Sequence, residues 1–326
     1  MQENWQSLLK EVITAPAELL EALALSPDLL FQAEQSAKLF PLRVPRGFVS
    51  RMQKGNPHDP LLQQILPIAE EEVVRPGFTL DPLNEKSANP LPGLLHKYQG
   101  RVLLTLAGAC AVNCRYCFRR HFPYQENIPG GKAWKNILDY IAADSTIYEV
   151  ILSGGDPLLA NDSYLSKCIN DLAAISHLKI LRIHSRLPIV LPQRITPELI
   201  AALISTSLQV VMVTHCNHAN ELDSSVANAI DQLRDAKITV LNQSVLLKGV
   251  NDSVEALVTL SQRLFEYGIL PYYLHLLDKV QGAAHFEVDV DRAKVLIVAV
   301  REKLAGYLVP RLVKEQAGEK YKLPLF

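Results

Sequence analysis

Residues 101–119 read Arg101-Val-Leu-Leu-Thr-Leu-Ala-Gly-Ala-Cys110-Ala-Val-Asn-Cys114-Arg-Tyr-Cys117-Phe-Arg119. The first seven are an apolar run of strand length, and the loop behind them carries three cysteines separated by three and then two residues. Three thiolates so spaced can hold three irons of a [4Fe–4S] cluster, leaving the fourth iron without a protein ligand. A small molecule can bind at that open iron. Zinc prefers four protein ligands, in paired Cys-x-x-Cys or Cys/His sets, and a lone triplet does not close a structural site. Spacing alone leaves open chance, or a zinc site completed by a nearby histidine such as His121.

Outward from this stretch, strand-length runs alternate with helical patterns. Residues 101–107, 148–153, 179–184, 209–214, 238–242 and 271–276 read as strands, and 132–143, 162–175, 196–206, 222–236, 252–267 and 289–304 as helices. Asn161 or Asp162 opens one helix, and Thr196-Pro197-Glu198 opens another with proline in the first turn. Six βα units predict an α/β fold, a partial (β/α)6 TIM-like barrel whose function sits in the loops after the strands. The cysteine loop follows the first of them.

Residues 5–40 carry helical stripes, and seven prolines between Pro57 and Pro92 mark an irregular arm. The expected organisation is an N-terminal helical cap and proline-rich arm over 1–95, the partial barrel over 96–305 and a C-terminal segment over 306–326. With 326 residues, 48% of them hydrophobic, the chain can bury a barrel-sized core. A net charge of −1 gives no support for a nucleic-acid or anionic-membrane surface. No leader-like start or membrane-length apolar run is visible, so a cytoplasmic protein is expected. Five cysteines, three of them clustered, do not make a disulfide framework, and Cys168 and Cys216 read as ordinary buried thiols.

The triplet resembles the signature of the radical S-adenosylmethionine (SAM) superfamily, whose open iron chelates SAM, with Tyr116 at the aromatic position beside the adenine. The resemblance extends nearly full length. Leu94 to Leu104, Cys110 to Arg120, Ser153-Gly-Gly-Asp156, Ser185 to Arg194, Thr214-His-Cys-Asn-His218, Leu241 to Leu247 and Tyr272 to Asp278 are similar to the lysine 2,3-aminomutase family. That family joins SAM radical chemistry to pyridoxal phosphate (PLP). The C-terminus, ending soon after Tyr321-Lys-Leu-Pro-Leu325, resembles the bacterial branch that makes (R)-β-lysine for elongation factor P and its modifying ligase.

The resemblance implies a role for each matching residue. Cys110, Cys114 and Cys117 would hold the cluster. Tyr116, His215 and the Ser153-Gly154-Gly155-Asp156 turn would meet SAM, the glycines allowing close backbone approach. Lys322 would bind PLP, although a lysine so near a terminus otherwise reads as a solvated charge; Arg101, supported by Gln243, would take its phosphate. Arg119 would fork the carboxylate of L-lysine, and Asp278 and Glu315 would take its side-chain ammonium. Glu315 is one methylene longer than the aspartate of fermentative relatives. Ala317-Gly318-Glu319 stands where relatives often have a glycine-rich run.

Moving an amino group from the α to the β carbon crosses a C–H bond that no side-chain base deprotonates at neutral pH, so a radical is required. The implied protein is an isomerase, an intramolecular aminotransferase, needing a low-potential electron donor, with a homo-oligomer left open. Two competing readings are an aminomutase for another amino acid, such as arginine or glutamate, and a non-catalytic metal-binding protein.

Overall fold

In the computed structural model, which describes residues 4–325, the apolar run before the cysteine loop forms a strand, and the five similar runs form strands beside it. In chain order the strands are β1 (Leu94–Tyr98), β2 (Arg101–Ala107), β3 (Glu149–Gly154), β4 (Ile180–Ser185), β5 (Gln209–His215), β6 (Thr239–Val245), β7 (Leu270–His275), β8 (Arg311–Lys314) and β9 (Leu323–Pro324). Each lies beside the next in one sheet. β2 to β8 run parallel, and β1 and β9 pair antiparallel at the two ends.

The sheet is buried because its helices cover it. Every residue of β3 is buried, which is why that strand reads as a near-continuous apolar run rather than an alternating one. Helices Gly131–Ala143, Asp162–Ala173, Pro197–Ile204, Ser224–Asp235, Val254–Glu266 and Val290–Lys303 follow β2 to β7 in turn. The expected caps start two of them: Asn161 Oδ1 accepts from the Tyr164 amide at 2.8 Å, and Thr196 Oγ1 from that of Leu199 at 3.2 Å.

Three strands were not expected. β8 is four residues long, too short to carry a periodic signal, yet it adds a seventh parallel strand and brings residues 306–325 into the sheet. β9 follows from it, and β1 folds back on β2 through Gly100, whose φ of 78° favours glycine.

The N-terminal helices Trp5–Lys10, Pro16–Ala22 and Leu30–Leu39 bury Leu19, Leu20 and Leu23 in a core shared with barrel residues such as Leu187 and Ile189. Each fully buried leucine contributes about 1.5–3 kcal/mol. The proline-rich arm then crosses the barrel mouth, where Thr79 exchanges backbone hydrogen bonds of 2.9 Å with Lys279 and Gln281. This crossing delivers two buried acids, Glu71 and Glu85, to the site. Among the described residues, no helix is long and apolar enough to cross a membrane.

Candidate functional site

A cavity of about 270 Å³ opens at the C-terminal ends of the strands, and every residue singled out above as a site residue lines it. The separate expectations for a cluster, two cofactors and a substrate therefore fall in one space.

At one end lie the cysteines. Cys117 is pushed up to about 11 by burial and by Cys114, and Cys110 is raised by burial and by Cys117. Thiolates crowded together out of water need a cationic partner, which iron supplies. Among the described residues, no three Cys, His, Asp or Glu side chains are grouped to hold a single ion. Thiolates that each take a different iron have no need to converge so tightly.

Buried guanidiniums brace the cysteine loop. Arg115 forks Glu71 at 2.7 and 2.6 Å, and Arg120 reaches the same carboxylate at 2.7 Å and the Gly282 carbonyl at 3.0 Å. Arg186 donates to Cys114 Sγ at 2.7 Å and pairs with Glu221 at 3.0 Å. Removing one partner of such a pair typically costs about 3–5 kcal/mol, because the other is left buried and charged. Tyr116 stacks on His215 at 5.6 Å and bonds its Nε2 at 2.9 Å; burial drives that imidazole down to about 3, so it is neutral.

The Ser153–Asp156 turn lines the cavity and is also held closely against the cysteine loop. A Cβ on Gly155 would lie 2.2 Å from the Ala109 carbonyl oxygen, and one on Gly154 2.5 Å from that of Ala107. The chain that approaches these glycines is thus the cysteine loop itself, stitched on by bonds from Gly155 N to Ala107 O at 2.7 Å and Asp156 N to Ala109 O at 2.9 Å. Asp156 is likewise engaged within the protein: its carboxylate accepts from Ser185 Oγ at 2.7 Å and from the amides of Leu158, Arg186 and Leu187. It fixes the turn after β4 and has little capacity left for a ligand.

The other end holds a row of alternating charges. Arg119 grips Glu85 through Nε at 2.7 Å and Nη2 at 2.8 Å, and its Nη1 donates to Ser153 Oγ at 3.2 Å. Lys97 bridges Glu85 at 2.9 Å and Glu315 at 3.0 Å, and Lys322 pairs with the other oxygen of Glu315. Lys97 lies on β1 and Glu315 just beyond β8, so this bridge spans the open side of the barrel. Although burial opposes its charge, the two ammonium groups hold Glu315 well below the usual carboxylate range. Asp278 is the exception in the row, forming no ion pair among the described residues; burial and the Glu315 charge push it up to about 7.

The remaining positions suit the phosphate of PLP. Arg101 packs on the Tyr98 ring at 4.8 Å and has no carboxylate partner among the described residues, so its guanidinium is available to an anion. Gln243, on β6, lines the same cavity. Sequence reading missed Glu71, Glu85, Lys97, Arg186, His184 and His275. The first two sit in an arm without periodicity. Lys97, Arg186 and His275 fall inside the matching stretches Leu94–Leu104, Ser185–Arg194 and Tyr272–Asp278, the signal that could have found them.

A half-open barrel with a cysteine triplet on the loop after its first parallel strand, braced by buried guanidiniums, defines an iron–sulfur enzyme of the radical SAM class. A family model described as a 4Fe-4S single cluster domain matches residues 99–181. The chain is 53% identical to the L-lysine 2,3-aminomutase of Haemophilus influenzae, over 98% of this chain and 95% of that one. It is 51% identical to that of Escherichia coli, over 99% and 95%, and 36% identical to that of Clostridium subterminale, over 99% and 77%. A solved radical SAM methyltransferase from Sphaerobacter thermophilus is 16% identical, with 68% of each chain covered and a TM-score of 0.47. The chain belongs to the lysine 2,3-aminomutase family.

Proposed function

We propose that the protein is the isomerase that moves the amino group of L-lysine from C2 to C3, giving (R)-β-lysine for the modification of elongation factor P. The observation that carries the substrate is Asp278, a deep acid near Lys322 that forms no ion pair among the described residues. A side-chain ammonium fits it, whereas the side-chain carboxylate of glutamate would meet two acids.

When bound, a cluster with SAM supplies hydrogen-atom abstraction from an unactivated carbon, and PLP carries the migrating nitrogen. The chain's own residues do the rest. Cys110, Cys114 and Cys117 hold the irons, with Arg186 balancing the charge at Cys114. Tyr116, stacked on His215, offers a flat apolar face for the adenine. Lys322 binds PLP, and Arg101 with Gln243 takes its phosphate. Glu85 fixes the guanidinium plane of Arg119 through Nε and Nη2 and Ser153 takes one hydrogen of Nη1, so that the remaining hydrogens of Nη1 and Nη2 are left to meet the substrate carboxylate. Asp278 takes the ammonium at the opposite end of the substrate. Glu315 already serves two cations and sets the position of Lys322 as well as adding negative charge. Lysine held at both ends has its C3 fixed in place, which is the positioning the reaction needs.

An external low-potential donor supplies the electron. Chiral chromatography of the products from free L-lysine, arginine and glutamate, with anaerobic protein and a chemical reductant, tests the reading. β-Lysine in the R form as the main product is expected. Preferential turnover of arginine or glutamate would overturn the substrate, and the S form would overturn the link to elongation factor P.

A further inference from the structure

A lysine and a phosphate site do not satisfy a pyridoxal ring. Its phenolic oxygen and ring nitrogen are polar, and burial would leave them without partners. Two side chains of the cavity wall are orphaned in the complementary way. His184, near the end of β4, and His275, at the end of β7, both line the cavity; neither ring forms a hydrogen bond among the described residues, and since Nε2 is the sealed atom in each, Nδ1 is the nitrogen left to a ligand.

Their surroundings fix both their charge and their place. Burial holds both imidazoles neutral, helped by Arg182, Lys322 and Arg119 around His184 and by Lys322 near His275, where Glu315 opposes. Lys322 is a charged neighbour common to both. The sheet explains part of this: His275 pairs with Val313 on β8, and Leu323, next to Lys322, pairs with Lys314 on the same strand.

We propose that His184 and His275 are the ring-side contacts of the coenzyme, two neutral imidazoles that hydrogen-bond the phenolic oxygen and the ring nitrogen of PLP held at Lys322. The proposal rests on the functional reading above. Its chemical consequence is specific: a carboxylate facing the ring nitrogen would keep it protonated and make the ring a sink for a carbanion at Cα. A neutral imidazole does not, which suits a migration of nitrogen that removes no proton from Cα.

The test titrates PLP into the parent and into the Ala and Gln variants of each histidine, followed by borohydride reduction and peptide mapping. The label is expected at Lys322 throughout, with iron content unchanged. His184→Ala and His275→Ala should each shift the visible band of bound coenzyme and weaken PLP binding about tenfold, the worth of one hydrogen bond. His184→Gln and His275→Gln, which keep an amide donor and acceptor, should recover affinity while leaving the band shifted, and that shift carries the test if the alanine variants do not fold. A parent that takes no label at Lys322 would sink the functional reading itself. Variants that label at Lys322 with the parent's band and affinity would sink only this proposal, and a selective loss of lysine or SAM binding would reassign the pair to that ligand.

Discussion

At the cysteine end of the cavity Arg115, Arg120 and Arg186 are paired with Glu71 and Glu221, and Asp156 is held by the Ser185 hydroxyl and three amides, so each charge there is already engaged within the protein. At the Lys322 end Arg119, Lys97 and Lys322 are chained through Glu85 and Glu315, while Asp278 and Arg101 form no ion pair among the described residues. The first arrangement suits an anionic thiolate cluster. The second suits a cationic substrate, because Asp278 forms no ion pair among the described residues and Glu315 loses one of its two cations once Lys322 is committed to the coenzyme. The same fold has thus built two differently paired ends in one space, one braced permanently and one with charges still open to a ligand from outside.

The largest expected effect is at the first end. Cys110→Ala, Cys114→Ala or Cys117→Ala should abolish SAM cleavage and lower bound iron together, while Cys168→Ala and Cys216→Ala should change neither. Iron analysis with a SAM-cleavage assay reads this, and full cleavage by all three loop variants would remove the cluster from the account.

Next comes the unpaired acid. Asp278→Asn should lower kcat/KM for lysine several hundredfold, the kinetic equivalent of roughly 3–4 kcal/mol for a desolvated ammonium left without its carboxylate. PLP loading, measured by absorbance, should persist. An unchanged rate would show that the two ends do not differ as argued. Glu71→Gln probes the braced end instead, orphaning Arg115 and Arg120; a loss of about 3–5 kcal/mol in unfolding free energy, with iron retention falling, is expected from denaturant titration.

A gentler probe is pH. Asp278 faces Glu315, Lys322, Lys97 and Glu85, with Tyr98 beside them, and it titrates near 7 in the free protein. Its protonated form cannot pair with an ammonium. Lysine affinity should therefore be flat above about 7 and fall about tenfold per unit below it, as measured by calorimetry. Asp278→Asn should erase that slope; a slope that survives belongs to another group. The smallest effect is expected for Glu315→Asp, whose shorter arm holds Lys97 and Lys322 less well. A change of a few-fold in turnover, or in the ratio of β-lysine enantiomers, would show on a chiral column.

The contiguous motif and the assembled row also differ in how they could be read. Residues 101–119 announced a strand, a ligand loop and a cluster, because thiolate spacing on one short loop is a local property. The six βα units were legible for a related reason: their apolar runs and helical stripes repeat at fixed periods, and Asn161 and Thr196 cap where they stand in sequence. β8 was not legible, since four residues have no period and its pairing with β7 is decided by what lies beside it.

Tertiary structure alone decided the charges. Arg119 looked free in sequence and is gripped by Glu85, thirty-four residues upstream in a proline-rich arm. Lys97 and Glu315, 218 residues apart, meet because the two edges of the sheet curve toward each other. The glycines of the Ser153–Asp156 turn proved to admit the cysteine loop rather than only a ligand. Spacing determines which residues can share a metal cluster, but whether a buried charge has a partner depends on distances of a few ångströms between distant segments, and those exist only once the barrel has closed around them.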